Sequence, residues 1–310
     1  METRFDVVVV GGGVAGMTAG MTAARLGRRA LVITGDILGG QLASIEKIEG
    51  YPGFIEGVPG YDLLPMAQEQ AENAGAEFMM ARLESLVWRD GDWLLETNQG
   101  AVTARGVVLA TGASLRKLDV PGEQRLFGKG VSHCAGCDGP LLRGRVAIVA
   151  GGGDSAMQEA LTLAAHASKV ILIERGGALT GQASYRARVA GEAKIELRFN
   201  TWIEEILGDV EVVGVRARDV GGEAFEIPTS AVFAYIGLRR DNAVAANALD
   251  LDADGAIPVD SRMRARPAGL CAAGNARSGS SFRAIGAAGD GANAAAALDG
   301  YLATGEWPAA

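Results

Sequence analysis

The chain has 310 residues, 48% of them hydrophobic and 21% charged, which is typical of a globular protein with one large domain or two smaller ones. A net charge of −8 without a basic run gives no electrostatic support for binding nucleic acid or a membrane surface. No apolar stretch approaches the roughly 20 residues of a membrane span, the first residues do not resemble a signal peptide, and three cysteines are too few for a secreted disulfide scaffold. We therefore expect a soluble cytoplasmic protein.

The N-terminal segment predicts a strand, a glycine turn, a helix and a second strand. Residues 5–10 are an apolar run with four consecutive valines, typical of a parallel strand buried on both faces. Residues 11–16 match G-x-G-x-x-G, a turn whose glycines let the backbone approach a pyrophosphate at the start of the helix predicted over 14–26. A glycine turn in another kind of βαβ unit is the alternative. The candidate binding residues here are Gly11, Gly13, Val14, Ala15 and Gly16.

The second strand is predicted over 29–33, and an acidic ribose-binding residue is expected at its end. Thr34 and Gly35 stand there instead. The chain then predicts loops, an amphipathic helix over 61–74, strands over 77–103 and a separate apolar strand over 106–110 that ends in Ala-Thr-Gly.

A Cys-x-x-Cys pair, Cys134 and Cys137, is followed by Asp138 and Gly139. Such a pair is typical of a redox disulfide, half of a zinc site or a haem attachment point. Zinc usually requires four ligands, and the remaining Cys271, His133 and His166 form no second pair. A haem signature requires His where Asp138 stands. The sequence favours a redox pair and no metal site, with a reduced structural thiol pair as the alternative.

A second nucleotide-binding unit follows this pair directly. Residues 145–149 predict a strand, residues 151–156 match G-x-G-x-x-A, and Asp154 is predicted to cap a helix that runs to about residue 167. The next strand, 169–173, ends in Glu174, which lies 23 residues after Gly151 and close to the ribose-binding offset of about 20. The repetition predicts two dinucleotide-binding domains in one chain.

The C-terminal part predicts strands and turns over 197–227, an apolar strand over 231–237 and a small-residue helix over 284–302. A helix so rich in alanine and glycine is expected to pack closely, and we predict that it packs on the first sheet. Cys271 lies in an apolar run and is predicted to be a small core residue.

Taken together, these motifs resemble the low-molecular-weight thioredoxin reductases over nearly the whole chain. The segments that carry the resemblance are 11–16, 39–42, 51–54, 110–112, 134–139, 151–156 and 233–237. The resemblance implies an α/β fold of two Rossmann-like domains, the second inserted in the first. The FAD-binding domain would comprise 1–115 and 243–310, and the NAD(P)H-binding domain with the Cys-x-x-Cys pair would comprise 116–242. It also implies a homodimer and a domain rotation that alternates access to the flavin.

The resemblance assigns the residue roles as well. Cys137 would face the flavin, Cys134 would attack the substrate disulfide, and Asp138 would manage the thiol protons. His133, when protonated, would lower the pKa of Cys134, or it is only a solvated neighbour. Residues expected at FAD, in addition to the first glycine turn, are Thr34, Gly35, Gly40, Gln41, Leu42, Thr111, Gly112, Gly274, Asn275, Arg283 and Ala284. Residues expected at the nicotinamide coenzyme are Gly151, Gly153, Asp154, Ser155, Ala156, Glu174 and Arg175.

The chain departs from the family pattern in both sites. Asn275 and Ala284 stand where the family has Asp and Gln near the flavin, so FAD should still bind while its affinity or potential differs. In the second site the family's basic residues for a 2′-phosphate are reduced to Arg175, which is expected to be partly occupied by Glu174. Glu174 itself is similar to NADH-using relatives. We therefore expect NADH to be favoured over NADPH.

The function that these residues predict is an NAD(P)H-dependent FAD enzyme that reduces the disulfide of a thioredoxin-like protein or a small molecule. One alternative is an oxygen-using dithiol oxidase of the same fold, which would run the cysteine pair in reverse and form a disulfide in a small molecule. Another is a flavin- or nucleotide-bound sensor without turnover.

Overall fold

The computed structural model describes residues 3–36 and 39–307, so the predicted domain ends at residues 1 and 310 lie outside the described part of the chain. These residues divide into two compact units. The first unit is formed by the chain up to Ser114 and from Arg239 onward, and the inserted unit runs from Leu115 to Leu238. The predicted boundaries, after residues 115 and 242, lie close to these positions.

Each unit contains a βαβ arrangement, over residues 3–33 in the first and 146–173 in the inserted one, and continues with runs of strands. The strands are β1 (Thr3–Val10), β2 (Ala30–Ile33), β3 (Glu77–Met79), β4 (Leu83–Arg89), β5 (Asp92–Thr97), β6 (Gly100–Leu109), β7 (Ala113–Leu115), β8 (Val131–Ser132), β9 (Val146–Ala150), β10 (Lys169–Ile173), β11 (Ile195–Arg198), β12 (Thr201–Leu207), β13 (Gly214–Asp219), β14 (Ala224–Pro228), β15 (Ala231–Ala234), β16 (Leu238–Arg240) and β17 (Leu270–Ala272). The helices are α1 (Val14–Arg25), α2 (Gly60–Asn73), α3 (Ala135–Asp138), α4 (Asp154–Ala164), α5 (Ala183–Gly191) and α6 (Ala284–Thr304).

The sheet of the first unit has the order β3-β2-β1-β6-β5-β4. Strands β1, β2, β3 and β6 are parallel, whereas β5 and β4 extend the sheet as an antiparallel hairpin. In β1, Val7 and Val9 face the helix side of the sheet, and Val8 and Val10 face a second apolar cluster on the other side. Because both faces are covered, the strand is a continuous valine run rather than an alternating one.

The prediction of a separate strand over 106–110 was wrong, because residues 106–109 lie in the second half of β6. The first half of β6 pairs antiparallel with β5, and its second half, Val107–Leu109, pairs in parallel with β17. Hydrophobic periodicity does not show which strand a segment pairs with. The change from alternating to continuous apolar residues along β6 therefore suggested two separate strands.

The inserted unit has a parallel sheet in the order β11-β10-β9-β15-β8 and a separate antiparallel sheet, β12-β13-β14. Alternate residues of β9 again face opposite sides. Ala147 and Val149 pack with α4 and α5, and Ile148 and Ala150 pack with the antiparallel sheet. The unit therefore has apolar clusters of its own on both faces of its sheet. Helix α5 was not predicted from the sequence, and α4 ends at Ala164 rather than near residue 167.

Helix α6 packs along α1 and also contacts β6 and β17. The close approach depends on Gly291, where a Cβ would overlap the carbonyl oxygen of Ala15. Leu298 of α6 lies over Gly106 in the sheet. The small-residue composition of this helix therefore reflects helix–helix packing as much as the predicted contact with the sheet.

Candidate active site

The glycine turn of the first unit, residues 11–16, is shaped by close backbone approach. Gly11 has a φ of +122°, and a Cβ there would overlap the carbonyl oxygen of Ala110. A Cβ at Gly16 would overlap the carbonyl oxygen of Gly11. Side chains at these two positions are therefore excluded by the protein itself, because the turn must pass close to β6 and into α1.

Gly13 differs from these two glycines, because a Cβ there would have only the carbonyl oxygen of Gly39, 4.0 Å away, as a neighbour. Helix α1 begins directly after it, at Val14, and in the described structure it has no side-chain cap and no acidic residue in its first turn. Unpaired amides at a helix start attract an anionic group. The open space and these amides fit the pyrophosphate of a dinucleotide such as FAD.

The residue after β2 touches the middle glycine of this turn. A Cβ at Gly12 would lie 2.8 Å from the Cβ of Thr34. The buried Thr34 hydroxyl is placed to donate to the carbonyl oxygen of Gly35 at 3.3 Å or Met79 at 3.4 Å. Asp36 is exposed and forms an ion pair with Arg82 at 3.1 Å. The expected ribose position thus carries a neutral residue.

Several predicted flavin-site residues lie on loops of the first unit. Gly40, Gln41 and Leu42 begin a 3₁₀ turn, Gly40–Ser44, and the Gly39 amide donates to the carbonyl oxygen of Gly12. Thr111 donates its hydroxyl to Oδ1 of the buried Asn242 at 2.7 Å. Gly112 follows with a φ of +75°. The loop after β6 is held by this Thr111–Asn242 contact and by the Ala110 amide, which donates to the carbonyl oxygen of Val10 at 2.8 Å.

The loop after β17 is held by an ion pair between the buried Asp290 and the half-buried Arg277, which was not predicted from the sequence. Asp290 of α6 accepts from both Nε and Nη2 of Arg277, at 2.7 and 2.8 Å, and from the amide of Gly274 at 3.1 Å. Asn275 lies within this loop, and its Oδ1 accepts from the Ser280 hydroxyl at 3.0 Å. The pair therefore positions Gly274 and Asn275, two of the predicted site residues.

Helix α6 begins at Ala284 with Arg283 at its N-cap position and no side-chain cap. The preceding residue, Phe282, has a φ of +54° and an exposed ring, over which the Arg240 guanidinium lies at 5.3 Å. The first-turn amides of α6 are suited to an acceptor or a negative charge on a ligand.

The glycine turn of the inserted unit repeats the geometry of the first. Gly151 has a φ of +125°, and a Cβ there would overlap the carbonyl oxygen of Tyr235, just as Gly11 abuts Ala110. Gly153 has open space around it, like Gly13. Ser155 lies in the first turn of α4, and Ala156 is fully buried at the helix–sheet contact. The duplication inferred from the sequence is therefore present in the local geometry as well.

Glu174 occupies the position that Thr34 has in the first unit. A Cβ at Gly152 would overlap its carboxylate, and its Oε1 accepts from the Gly176 amide at 2.7 Å. The carboxylate is half-buried and lies against the middle glycine of the turn. Arg175 does not pair with it in the described structure but lies over the Trp202 ring, 5.9 Å from its centroid, which corrects the expected Arg175–Glu174 contact.

The predicted capping role of Asp154 is also corrected. Gly153 is the N-cap of α4, and Asp154 is the first residue of the helix. Its Oδ1 instead accepts from the Gln182 amide at 2.6 Å. The Thr180 amide donates to the carbonyl oxygen of Gly152 at 2.9 Å. The segment between β10 and α5 is thereby tied back to the glycine turn.

Cys134 and Cys137 form a disulfide, with Cα atoms 5.3 Å apart, across the short helix α3. Cys134 is the N-cap of α3, and the Cys137 amide donates to its Sγ at 3.2 Å. Cys137 is exposed, Cys134 is half-buried, and Asp138 ends the helix. An accessible disulfide followed by a carboxylate is suited to thiol–disulfide exchange.

Beneath α3 lies a buried polar pair that sequence reasoning missed. Glu159 of α4 accepts from the Ala135 amide at 3.2 Å. Tyr235 lies beside it, and its buried hydroxyl has no hydrogen-bond partner of ordinary geometry in the described chain. Burial, then the charge of Glu159, raises the pKa of Tyr235. A signal for Glu159 was available, since it shares a helix face with the buried Ala156 and Leu163.

His133 precedes the pair, and its ring lies 5.5 Å from that of Phe127. Its Nδ1 is buried without a hydrogen-bond partner among the described residues. Nδ1 of His133 therefore provides no hydrogen bond within the described chain that would orient its ring toward Cys134.

Over residues 3–36 and 39–307, no helix is both long and apolar enough to cross a membrane. The same residues include no cluster of three or more His, Cys, Asp or Glu side chains that could hold a metal ion.

Comparison with known proteins places the chain among flavin-linked disulfide enzymes. Residues 5–292 match the pyridine nucleotide-disulphide oxidoreductase family. The chain is 37% identical over 305 residues to the thioredoxin reductase of Treponema pallidum, which covers 98% of this chain and 99% of that protein. It is also 37% identical to the bifunctional thioredoxin reductase/thioredoxin of Mycobacterium leprae, covering 97% of this chain and 67% of that protein. The crystal structure of Lactococcus lactis thioredoxin reductase superposes with a TM-score of 0.93 at 33% identity, covering 96% of this chain and 99% of that one.

Proposed function

The chain belongs to the low-molecular-weight thioredoxin reductases within the pyridine nucleotide-disulphide oxidoreductase family, and from this premise we propose that it carries electrons from a reduced nicotinamide coenzyme, through FAD and the Cys134–Cys137 pair, to the disulfide of a thioredoxin-like protein. The observation that supports this most is the accessible Cys134–Cys137 disulfide, which shares the inserted unit with an intact dinucleotide turn.

The residues of the first unit supply the flavin site. Bound FAD supplies the link between two-electron hydride transfer and dithiol chemistry. The amides at the start of α1, with Gly13 leaving space in front of them, would hold the pyrophosphate. The amides at the start of α6, beside Ala284, would stabilise a negative charge placed near them.

The cysteine pair then performs thiol–disulfide exchange. Cys134, as a thiolate, attacks one sulfur of the substrate disulfide, so that a mixed disulfide forms and the other substrate sulfur leaves as a thiolate. Asp138 holds the proton removed from the Cys134 thiol and gives it to that leaving sulfur. Cys137, after losing its own proton, next attacks Sγ of Cys134, which restores the Cys134–Cys137 disulfide and releases the second substrate sulfur. That sulfur takes up the proton lost by Cys137, so two electrons and two protons pass to the substrate and both of its sulfurs become thiols.

The test is an anaerobic mixture of the purified, FAD-loaded protein with NADH, followed by oxidised thioredoxin. We expect the flavin absorbance to bleach with NADH and to recover when thioredoxin is added. Cys134→Ser and Cys137→Ser should each abolish thioredoxin reduction while leaving the bleaching by NADH intact. Bleaching only by an added dithiol would favour the dithiol oxidase, and absence of any turnover would favour a sensor.

The coenzyme preference is a finer part of the proposal: NADH over NADPH. The Glu174 carboxylate against Gly152 is placed to accept hydrogen bonds from ribose hydroxyls and to repel a 2′-phosphate. Arg175 stacks over Trp202 instead of offsetting that charge. Each missing charged hydrogen bond to the phosphate is worth about 1.5–3 kcal/mol, which corresponds to roughly a 10- to 100-fold preference in kcat/KM.

The measurement is kcat/KM with each coenzyme for the parent and two variants. Glu174→Gln retains hydrogen bonding but removes the charge, so the disadvantage of NADPH should shrink. The triple variant Glu174→His, Gly176→Arg, Thr180→Arg should reverse the preference. A parent that prefers NADPH would contradict this assignment.

Two further parts of the proposal follow from the family resemblance and the composition. We expect a homodimer, measurable by light scattering during gel filtration as twice the mass of one chain. We also expect a cytoplasmic location, where thiols are kept reduced. A small-molecule disulfide is an additional substrate class to be tested beside thioredoxin in the same assay.

A further inference from the structure

The buried carboxylate of Glu159 lies under the start of the helix that carries the disulfide. Its Oε2 accepts from the Ala135 amide at 3.2 Å, and Ala135 is the fully buried first residue of α3, directly after Cys134. Only 7% of Glu159 is exposed, so its interactions are little screened by water. The Ala135 amide is thereby engaged by Glu159, whereas the Cys137 amide donates to Sγ of Cys134 at 3.2 Å.

The environment of Glu159 is apolar enough for its charge to act on neighbouring groups. Ala135, Ala156, Leu163 and Tyr235 belong to one buried apolar cluster. The pKa of Tyr235 in this cluster is raised, mainly by burial and then by the charge of Glu159. Cys134 directly precedes Ala135, so its sulfur belongs to the segment that the Glu159 carboxylate contacts.

We propose that Glu159 is a positioning residue for the redox pair: its carboxylate fixes the first turn of α3 through the Ala135 amide, and its negative charge keeps Cys134 a neutral thiol after the disulfide is opened. This inference rests on the proposed function of Cys134 and Cys137 as the redox pair.

The consequence is a more strongly reducing pair at neutral pH. Opening the disulfide takes two electrons and two protons when both products are thiols, and only one proton when one product is a thiolate. A negative charge that disfavours the thiolate removes a stabilisation of the reduced form. Electrons then pass more favourably to the substrate, and a base is required to activate Cys134, which is the role proposed for Asp138.

Several titratable groups surround Cys134, and the test must distinguish the effect of Glu159 on the Cys134 thiol from the effects of the others. His133 and Cys137 neighbour it in the chain, and Asp138 lies on its own helix. From the packed elements come Glu159 of α4, Tyr235 after β15, and His166, whose ring lies by Gly139. Changing Glu159 alone, with all the others kept, isolates its contribution.

The experiment measures the rate of iodoacetamide alkylation against pH in the FAD-loaded Cys137→Ser protein, where Cys134 is the accessible thiol and Cys271 is fully buried. Mass spectrometry counts the thiols modified. We expect the midpoint to lie above the ordinary thiol value of about 8.5. Adding Glu159→Gln, which still accepts from Ala135, should lower the midpoint by about one pH unit and speed alkylation at pH 7 about tenfold. Glu223→Gln, an exposed carboxylate of the same unit, is the matched control and should change nothing.

A midpoint at or below about 8.5 in the parent background would overturn the proposal, even if the Glu159 variant failed to fold. An unchanged midpoint in a folded Glu159→Gln variant would overturn it as well. Because alkylation requires no coenzyme and no substrate disulfide, this outcome is independent of the turnover experiment that tests the proposed function.

Discussion

At the residue scale, the glycines of the two nucleotide turns perform two different tasks. The protein's own backbone requires glycine at positions 11, 16 and 151. A Cβ at Gly11, Gly16 or Gly151 would overlap a carbonyl oxygen, and at Gly151 it would also approach Ala156. Gly13 and Gly153 have open space. We therefore expect substitution at the first group to disturb folding and substitution at the second to act mainly on binding.

This difference predicts the effect of Gly13→Asp. The added carboxylate would stand before the amides of α1, where it would repel a pyrophosphate and itself occupy the helix start. We expect loss of FAD from the purified protein, measured by flavin absorbance, with an unchanged circular dichroism spectrum. Gly13→Asn is the matched neutral control and should retain more flavin. Full flavin retention in the Asp variant would contradict the site assignment.

Cys271 predicts a dependence of stability on alkaline pH. It is fully buried, and burial raises the pKa of its thiol above the unfolded value of about 8.5. The folded state therefore keeps its proton while the unfolded chain loses it, so this contribution is present below about pH 8.5 and is lost as the pH rises further. The expected loss is up to about 1.4 kcal/mol per pH unit.

The measurement is urea unfolding of the parent and of Cys271→Ala at pH 7.5, 8.5 and 9.5. The alanine variant removes the ionising group, so its stability should decline less steeply over this range. Parallel declines in the two proteins would show that other groups cause the loss.

At the element scale, α6 depends on Gly291 where it packs along α1. Gly291 abuts the carbonyl oxygen of Ala15. Gly289, on the same helix, is exposed, and a Cβ added there would meet no atom of the described residues within 4 Å. The two glycines form a natural matched pair for measuring close packing.

Gly291→Ala should destabilise the protein by about 1–3 kcal/mol, because the helices must separate to admit the methyl group. Gly289→Ala should be neutral or stabilising by up to about 1 kcal/mol, since alanine favours the helix. Chemical denaturation of both variants checks this. Equal effects would mean that the approach of α6 to α1 does not depend on Gly291.

At the scale of the whole molecule, the inserted unit has the features of an autonomous folding domain. Its parallel sheet is covered on one face by α4 and α5 and on the other by β12, β13 and β14, so both apolar clusters close within residues 115–238. The connecting strands β7 and β16 pair with each other, so the ends of the segment lie close together.

We therefore expect a fragment of residues 115–238 to fold cooperatively, to form the Cys134–Cys137 disulfide and to bind no flavin. Thermal unfolding followed by circular dichroism and a thiol count would check the first two expectations, and flavin absorbance would check the third. A fragment that stays unfolded would mean that the unit depends on the rest of the chain.

Local pattern was sufficient for much of the fold. The valine run of β1, the two glycine turns and the apolar periodicity of α2 predicted their elements to within a few residues. These features depend on neighbours in sequence, since strand burial, positive φ and helix amphipathicity are local constraints. The same patterns, with the Cys-x-x-Cys motif, led to the family before any contact was known.

Contacts between distant segments required the tertiary structure. The placement of Glu159 under Ala135, of Glu174 against Gly152 and of Arg175 over Trp202 depends on how α4, β10 and β12 meet. The two predicted strands merge into β6 because β1, about a hundred residues earlier, pairs with both halves. The sequence by itself determined which chemistry the chain carries, because the redox and nucleotide-binding motifs are each contiguous in the chain. Only the tertiary structure decided that Glu159 is the carboxylate under the disulfide, because this contact joins residues that no local pattern relates.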